Sequence, residues 1–367
     1  EMIARLVGSE MCIRDRVFSL AKSSNAFLEK RAKDEKPFFL TISHYALHVR
    51  NMSLKSTRRK YLDIVAEREG IEEKIPDISK FDDNIAEMPE KLRNHWERAN
   101  YAAMMENMDT SIGMVLDRLE ELDLQKNTFV IFSSDNGGGA SNHPLQGGKA
   151  RMWEGGIRVP MIVAGPNIPA NSQCDKPVAQ WDYLSTMHDL SGSSVPLPEN
   201  LDGVSLRPVL EKGNKGKLAK RDTGFVFHFP AFYTIPVTSY RAGDYKLMRH
   251  LNSGEVKLFN VAKDMGETKD LSNSMPEKRD AMVRKLDAYL KTVGAWTMEE
   301  VYETRLDELN EWIEVKQQQV LECQKKLKNS PDDKQIEAQL KKVQESLSRF
   351  EKTRFQVLAN QASSNWL

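Results

Sequence analysis

Asp135 and Asn136 stand where an apolar strand breaks off. The run FVIF (129–132) passes through Ser133 and Ser134 into this pair and then into three glycines, Gly137 to Gly139. A carboxylate and an amide oxygen are hard ligands of the kind that Ca²⁺ or Mg²⁺ accepts. Further on, Gly147 and Gly148 lead to Lys149, a cation on a flexible approach. Upstream, a second apolar run, Phe38-Phe39-Leu40-Thr41-Ile42, ends in Ser43-His44-Tyr45-Ala46-Leu47-His48. Taken singly, Asp-Asn is an ordinary turn pair, His48 a surface histidine and Lys149 a loop lysine. Taken together, a divalent cation, a lysine and a histidine make a site for an oxyanion.

Two strands must deliver these groups to one edge of a sheet. Open α/β sheets bind ligands beyond the carboxyl ends of their strands, which is where both polar clusters fall. The continuous apolar character of 38–42 suits a parallel strand buried on both faces. Between the two strands, 50–94 is a charged excursion with one short helix. A firm helix then runs from about Arg93 to Leu122, with Met104, Met108, Ile112, Val115 and Leu119 on one buried face. After Pro160 the run MIVA (161–164) predicts another strand, and Gln180 to Leu190 a helix.

From Gly224 the pattern turns to short strands: FVFH (225–228), SYR (239–241), YKLM (245–248) and VKLFN (256–260). Their tight turns indicate an antiparallel sheet. An amphipathic helix follows over 276–293. The tail repeats apolar residues in steps of three and four on two segments, the first through Leu306, Leu309, Ile313 and Cys323, the second through Ile336, Leu340, Val343 and Phe350. Asn329-Ser330-Pro331-Asp332-Asp333 separates them, with Ser330 as the expected cap and Pro331 at the first helical position. An antiparallel helical hairpin over 300–362 is the expectation, with Cys323 in its seam.

Composition narrows the classes. The 367 residues hold one large domain plus an appendage, or two domains. With 53 basic and 53 acidic residues the formal charge is zero, which argues against a general polyanion binder and so against nucleic acid as partner. Three cysteines make no disulfide framework. No apolar run is long enough to cross a bilayer. The first 16 residues, EMIARLVGSEMCIRDR, are not a secretory signal; they read as a non-native stretch, set aside with Cys12.

With these pieces in place, the chain resembles a type I, formylglycine-dependent sulfatase, of the alkaline phosphatase superfamily. The segments that carry the likeness are SSDNGG (133–138), GGK (147–149), EGGIRVP (154–160), the histidine strand KPFFL…SHYALH (36–48), GDYKL (243–247) and DMGE (264–267). It spans about residues 17–293. The resemblance implies an α/β fold with a mostly parallel sheet flanked by helices over 17–215, a small antiparallel β subdomain over 216–295, and the hairpin tail as an addition.

The resemblance also implies roles. Asp135 and Asn136 match metal ligands that hold Ca²⁺; Lys149 and His48 match the residues that contact the sulfate and assist the leaving oxygen; His228 falls where relatives can place a substrate-facing histidine. The substrate would be a sulfated carbohydrate or other sulfate ester, the compartment periplasmic or extracellular, and the hairpin a surface for oligomerisation. The rival readings are a phosphatase or phosphodiesterase of the same superfamily, and a non-catalytic module that assembles through the hairpin.

One departure bears on activity. The family's nucleophile is formylglycine, made from Cys or Ser in a C/S-x-P-S-R sequence, and none of the three cysteines is followed by those residues. The early Asp-Asp metal pair and the family's arginine are absent as well, so an earlier part of the protein is expected to lie outside this chain. Purified as written, the polypeptide is expected to show little calcium affinity and no turnover of an aryl sulfate such as 4-nitrocatechol sulfate; measurable release of the phenol overturns that expectation.

Overall fold

A computed structural model describes residues 3–5, 16–34, 36–48, 53–70, 90–139, 141–219, 224–230 and 235–364. The backbone forms two compact units, one of residues 1–130 with 163–170, the other of residues 131–162 with 171–367. Residues 171–219 fall in the same unit as the β subdomain and the tail.

In the first unit, helix α1 (Arg16–Arg31) and the long helix α3 (Glu90–Glu121) share a core. Ala21 and Leu28 meet Val115 and Leu119, and Phe38, Leu40 and Val130 pack on them. The charged excursion contains helix α2 (Lys55–Arg68), longer than expected, and residues 71–89 of that stretch lie outside the described residues. Polar groups join α2 to α3. Ser53 Oγ donates to Asn100 Oδ1 at 2.7 Å, Asn107 Oδ1 accepts from the Leu54 amide at 2.8 Å, and the buried Arg58 guanidinium lies 4.8 Å from the Trp96 ring.

Strand β1 (Ile3–Arg5) pairs in parallel with β2 (Phe39–Thr41). Three residues of the stretch set aside above thus take part in the fold. Strands β3 (Val130–Ser133) and β4 (Met161–Ala164) form a second pair. The 38–42 strand, expected to be buried on both faces, is not: Phe39 is 45% exposed, and on the second pair Phe132 is 38% and Ile162 64% exposed. Among the described residues each pair stays two-stranded.

The second unit is built on a four-stranded antiparallel sheet in sequential order: β5 (Phe225–Phe229), β6 (Val237–Ala242), β7 (Tyr245–His250) and β8 (Val256–Asn260). Side chains alternate across its faces. Tyr240, Leu247 and Leu258 point to one face and bury Met282 and Leu286 of helix α7 (Pro276–Thr292), which follows the short helices α4 (Glu154–Ile157), α5 (Asp182–Leu190) and α6 (Arg207–Lys212) in the chain. Val237, Met248 and Phe259 point to the other, where Met152 and Trp153 pack on them. Trp153 and Phe259 have ring centroids 5.5 Å apart.

That second face also carries charge. Lys246, on β7, is fully buried, with Nζ 3.1 Å from Glu154 Oε1 and 2.8 Å from Glu267 Oε1. The Glu154 amide donates to Glu267 Oε2 at 2.6 Å. Arg158 and Arg241 stand 3.5 and 3.9 Å from the other Glu154 oxygen. Burial pushes the Glu267 carboxyl above its usual range, while the Lys246 charge and the Glu154 amide pull it back.

The tail is a hairpin of helices α8 (Met298–Asn329) and α9 (Lys334–Ser364). Trp312 meets Phe350 at 5.3 Å between centroids and Arg354 donates to Asn310, so the helices run antiparallel. Leu309, Ile313 and Cys323 are buried on the expected seam. A capping box of Thr297 and Glu300 starts α8. The second cap differs from expectation. Ser330 closes α8, and Asp333 caps α9 by accepting from the amides of Gln335 and Ile336 at 2.9 and 3.2 Å. A carboxylate one residue before the helix reaches those amides; Ser330 lies a turn too early.

Leu286 is fully buried between α7 and the sheet. Leu286→Ala should lower unfolding free energy by about 2–5 kcal/mol with the denaturant slope unchanged, read by urea titration. The raised Glu267 carboxyl gives a second expectation. Its folded form holds the proton more tightly than the unfolded chain, so its contribution is fully present below about pH 4.3 and is lost as pH rises through the folded value. Glu267→Gln removes that loss. The variant should therefore gain stability relative to the parent as pH is raised through this window, read from paired melting curves.

Candidate functional site

The loop after β3 is closed by its own backbone. Gly137 N donates to Gly156 O at 2.9 Å and Gly155 N to Gln146 O at 2.8 Å. A Cβ on Gly137 would fall on the Gly155 carbonyl, and one on Gly156 would fall on the carbonyls of Arg151 and Gly148. Main chain packs on main chain here, which is why SSDNGG and EGG each need their glycines.

Asp135 and Asn136 sit at the turn out of β3. Asp135 Oδ1 accepts from the Asn136 amide at 3.0 Å, and Ser134 Oγ donates to Asn136 O at 2.9 Å. Gln180 Nε2 donates to Ser134 O at 2.5 Å and holds the strand end. The Lys149 amide donates to Gly138 O at 3.0 Å, which brings the lysine's backbone to within two residues of Asn136. The Lys149 side chain is exposed. Asp135, Asn136 and Lys149 are thus borne on one closed loop of one unit.

Asn142 is the hub of that loop. Its amide nitrogen donates to Gly138 O at 3.0 Å and to Gly147 O and Gly155 O at 3.2 Å each. The sequence reading passed over it; an asparagine among glycines was the only signal. It also passed over Glu154 and Glu267, because a pair so distant in sequence shows no spacing.

His48 belongs to the other unit. It is exposed, closes the turn after β2 with its amide donating to Tyr45 O at 3.1 Å, and follows Leu47 at φ 77°. His44, four residues earlier, has a buried Nδ1 without a hydrogen-bond partner among the described residues, and burial lowers its pKa. At neutral pH its ring is held uncharged.

His228, expected to face substrate, is bonded at both ring nitrogens. Nδ1 lies 2.7 Å from Thr238 Oγ1 and Nε2 2.8 Å from Trp296 O. The carbonyl can only accept, so Nε2 carries the proton and Nδ1 accepts from the threonine. A substrate oxygen would have to displace one of these partners.

Asp135 and Asn136 fit a hard cation in kind and supply two of the roughly six to eight oxygens that Ca²⁺ takes. Among the described residues no three acidic, histidine or cysteine side chains gather as a cation cage. Nor is any helix among them long and apolar enough to cross a membrane.

The Sulfatase family model matches residues 18–193, and the model for the C-terminal part of N-sulphoglucosamine sulphohydrolase matches residues 147–296. A sulfatase of Formosa agariphila is 28% identical over 276 residues, 69% of this chain and 45% of the relative. Human steryl-sulfatase is 38% identical over 142 residues, 35% of this chain and 24% of the relative. Canine arylsulfatase K is 31% identical over 195 residues, 52% of this chain and 36% of the relative. The chain therefore spans less than half the length of these curated relatives. Among solved structures, Ps i-CgsB in complex with k-i-k-neocarrahexaose superposes with a TM-score of 0.57 at 25% identity, covering 74% of this chain and 54% of that one. A 2-O GAG sulfatase superposes with a TM-score of 0.53 at 20% identity, covering 80% of this chain and 68% of that one. The two family models meet on the loop that carries Lys149 and EGG, and the chain belongs to the sulfatase family, with its alkaline-phosphatase-like fold.

Proposed function

We propose that this chain carries the cation- and sulfate-binding part of a sulfuric ester hydrolase. The observation that carries the reading is the closure of the loop, with the Lys149 amide on Gly138 O at 3.0 Å, so that a lysine follows two hard oxygen donors on one rigid backbone. Hydrolysis of a sulfate ester breaks the bond between sulfur and the ester oxygen and leaves negative charge on both sides of it. The Lys149 ammonium stabilises the sulfuryl oxygens as that charge builds. Proton donation to the departing oxygen is the role that the resemblance gives His48, which is exposed at its turn in the other unit. Asp135 and Asn136 would hold Ca²⁺, which when bound supplies positive charge to the sulfuryl oxygens. The family's formylglycine has no source in these 367 residues, since no Cys or Ser is followed by x-Pro-Ser-Arg, and no step is assigned to it.

The substrate is a sulfate ester, and we place sulfated carbohydrates first. The supporting relatives are Ps i-CgsB, whose structure contains a neocarrahexaose, and the GAG sulfatase; the steryl-sulfatase match keeps smaller esters in view. Both family models being sulfatases favours sulfate over phosphate.

Inorganic sulfate, the product, is the direct probe. In excess calcium, calorimetry should show sulfate binding that weakens about tenfold or more in Lys149→Ala, the cost of one charge-assisted hydrogen bond. Equal affinity in parent and variant would remove the reading.

A further inference from the structure

Lys149 lies between two residues that bond to the same partner. Gln146, three positions before it, donates through Nε2 to the Glu267 backbone carbonyl at 2.8 Å. Glu154, five positions after it, donates its amide to Glu267 Oε2 at 2.6 Å. One residue of the β subdomain therefore grips both flanks of the lysine loop. The loop needs such a grip, because its backbone is unusual: Gly147 sits at φ 71° and Ala150 at φ 64°, on either side of Lys149. A side chain on Gly147 would meet Trp153 Cβ at 2.8 Å and its ring at 3.0–3.2 Å.

Glu267 is itself held in place. It adopts φ 52°, a left-handed conformation that a residue with a side chain enters at a cost. Asp264 fixes the turn, with its Oδ2 accepting from the amides of Thr268 and Lys269 at 2.8 Å each. Gly266 comes so close to the loop that an added Cβ would stand 2.9 Å from Pro144 O. Behind the carboxylate, Lys246 Nζ at 2.8 Å supplies the charge that lets it remain buried.

We propose that Glu267, backed by Lys246, is a positioning residue for Lys149: it clamps residues 146 and 154 so that the ammonium is presented to the sulfuryl group in one fixed register. The clamp rests on the sulfate-binding reading of Lys149 for its purpose, but not for its existence. Glu267 touches no substrate.

Hydrogen exchange and sulfate calorimetry on the whole chain test it together. In Glu267→Leu the amides of 147–156 should exchange about tenfold faster or more, as expected for losing one buried hydrogen bond, while α8 and α9 stay as protected as in the parent. Sulfate affinity should fall in parallel. Glu267→Gln should recover both, because an amide oxygen still accepts from the Glu154 amide; a residue that merely fills space would not show that rescue. If Glu267→Leu does not fold, Gln146→Ala removes one flank alone and should speed exchange at 147–150. Unchanged exchange in the folded variants overturns the clamp, and so does a Gln variant that behaves like Leu. Should the parent chain not bind sulfate, the reading of Lys149 falls while the exchange data still decide the clamp.

Discussion

Lys246 is fully buried on a central strand of the small sheet, and the second unit is arranged around its acidic partners. Two carboxylates approach it, from Glu154 on the loop after β3 and from Glu267 on the turn after β8. Taking three charges out of water is costly, and their attraction offsets that only when geometry and hydrogen bonds are complete. Completeness here requires the Glu154 amide on Glu267, the arginines at the edge, and the apolar seal of Met152, Trp153, Met248 and Phe259. Each of these fixes the loop and the sheet to one another in a single register. Apolar contacts alone would tolerate a slip; a buried charge with designated partners does not.

The glycines complete that constraint from the other side. Gly137, Gly155 and Gly156 let three stretches of backbone lie against each other with no side chain between them. The contact is too close to relax around a methyl group, so the strand end that bears Asp135 and Asn136, the turn that bears Lys149 and the short helix that bears Glu154 form one rigid piece. The ion cluster then anchors this piece to the sheet. A site that must hold a small, symmetric anion gains from such rigidity, since few contacts are available and each has to be placed in advance.

Much of this was legible in the sequence because it is local. The four short strands and α7 follow from alternation and helical spacing, and the hairpin from its repeating apolar positions. Asp135, Asn136 and Lys149 stood out because strand, turn and glycines adjoin them. What was not legible depends on contacts between distant residues. Nothing in the sequence marks Glu267 and Lys246 as partners, and only the fold shows them meeting Glu154. His228 takes its substrate-facing role from the resemblance, and the sequence does not show that its ring nitrogens bond Thr238 and Trp296. The apolar run 38–42 reads as a strand buried on both faces, because the character of a segment does not report whether anything covers it. Asp333 caps α9 in place of Ser330 because cap choice turns on reach to particular amides, which a list of permitted cap residues does not fix.

The charge cluster also explains why an ionic joint stands where a simpler apolar one would be the more stable choice. Well-packed apolar residues of similar volume often equal or exceed a buried ion pair in stability. A leucine or methionine at 246 could join the seal that Met248 and Phe259 already form with Trp153. It could not select one orientation of Glu154, nor make Glu267 the common acceptor for both flanks of the lysine loop. The left-handed backbone at Glu267 points the same way, since a turn optimised for stability alone would place glycine there. Two local costs, a buried charge and a strained residue, fall on the same side chain. Costs that coincide at one position, and whose joint effect is to fix Gln146 and Glu154 around Lys149, indicate that this corner of the fold is shaped by where the lysine must stand.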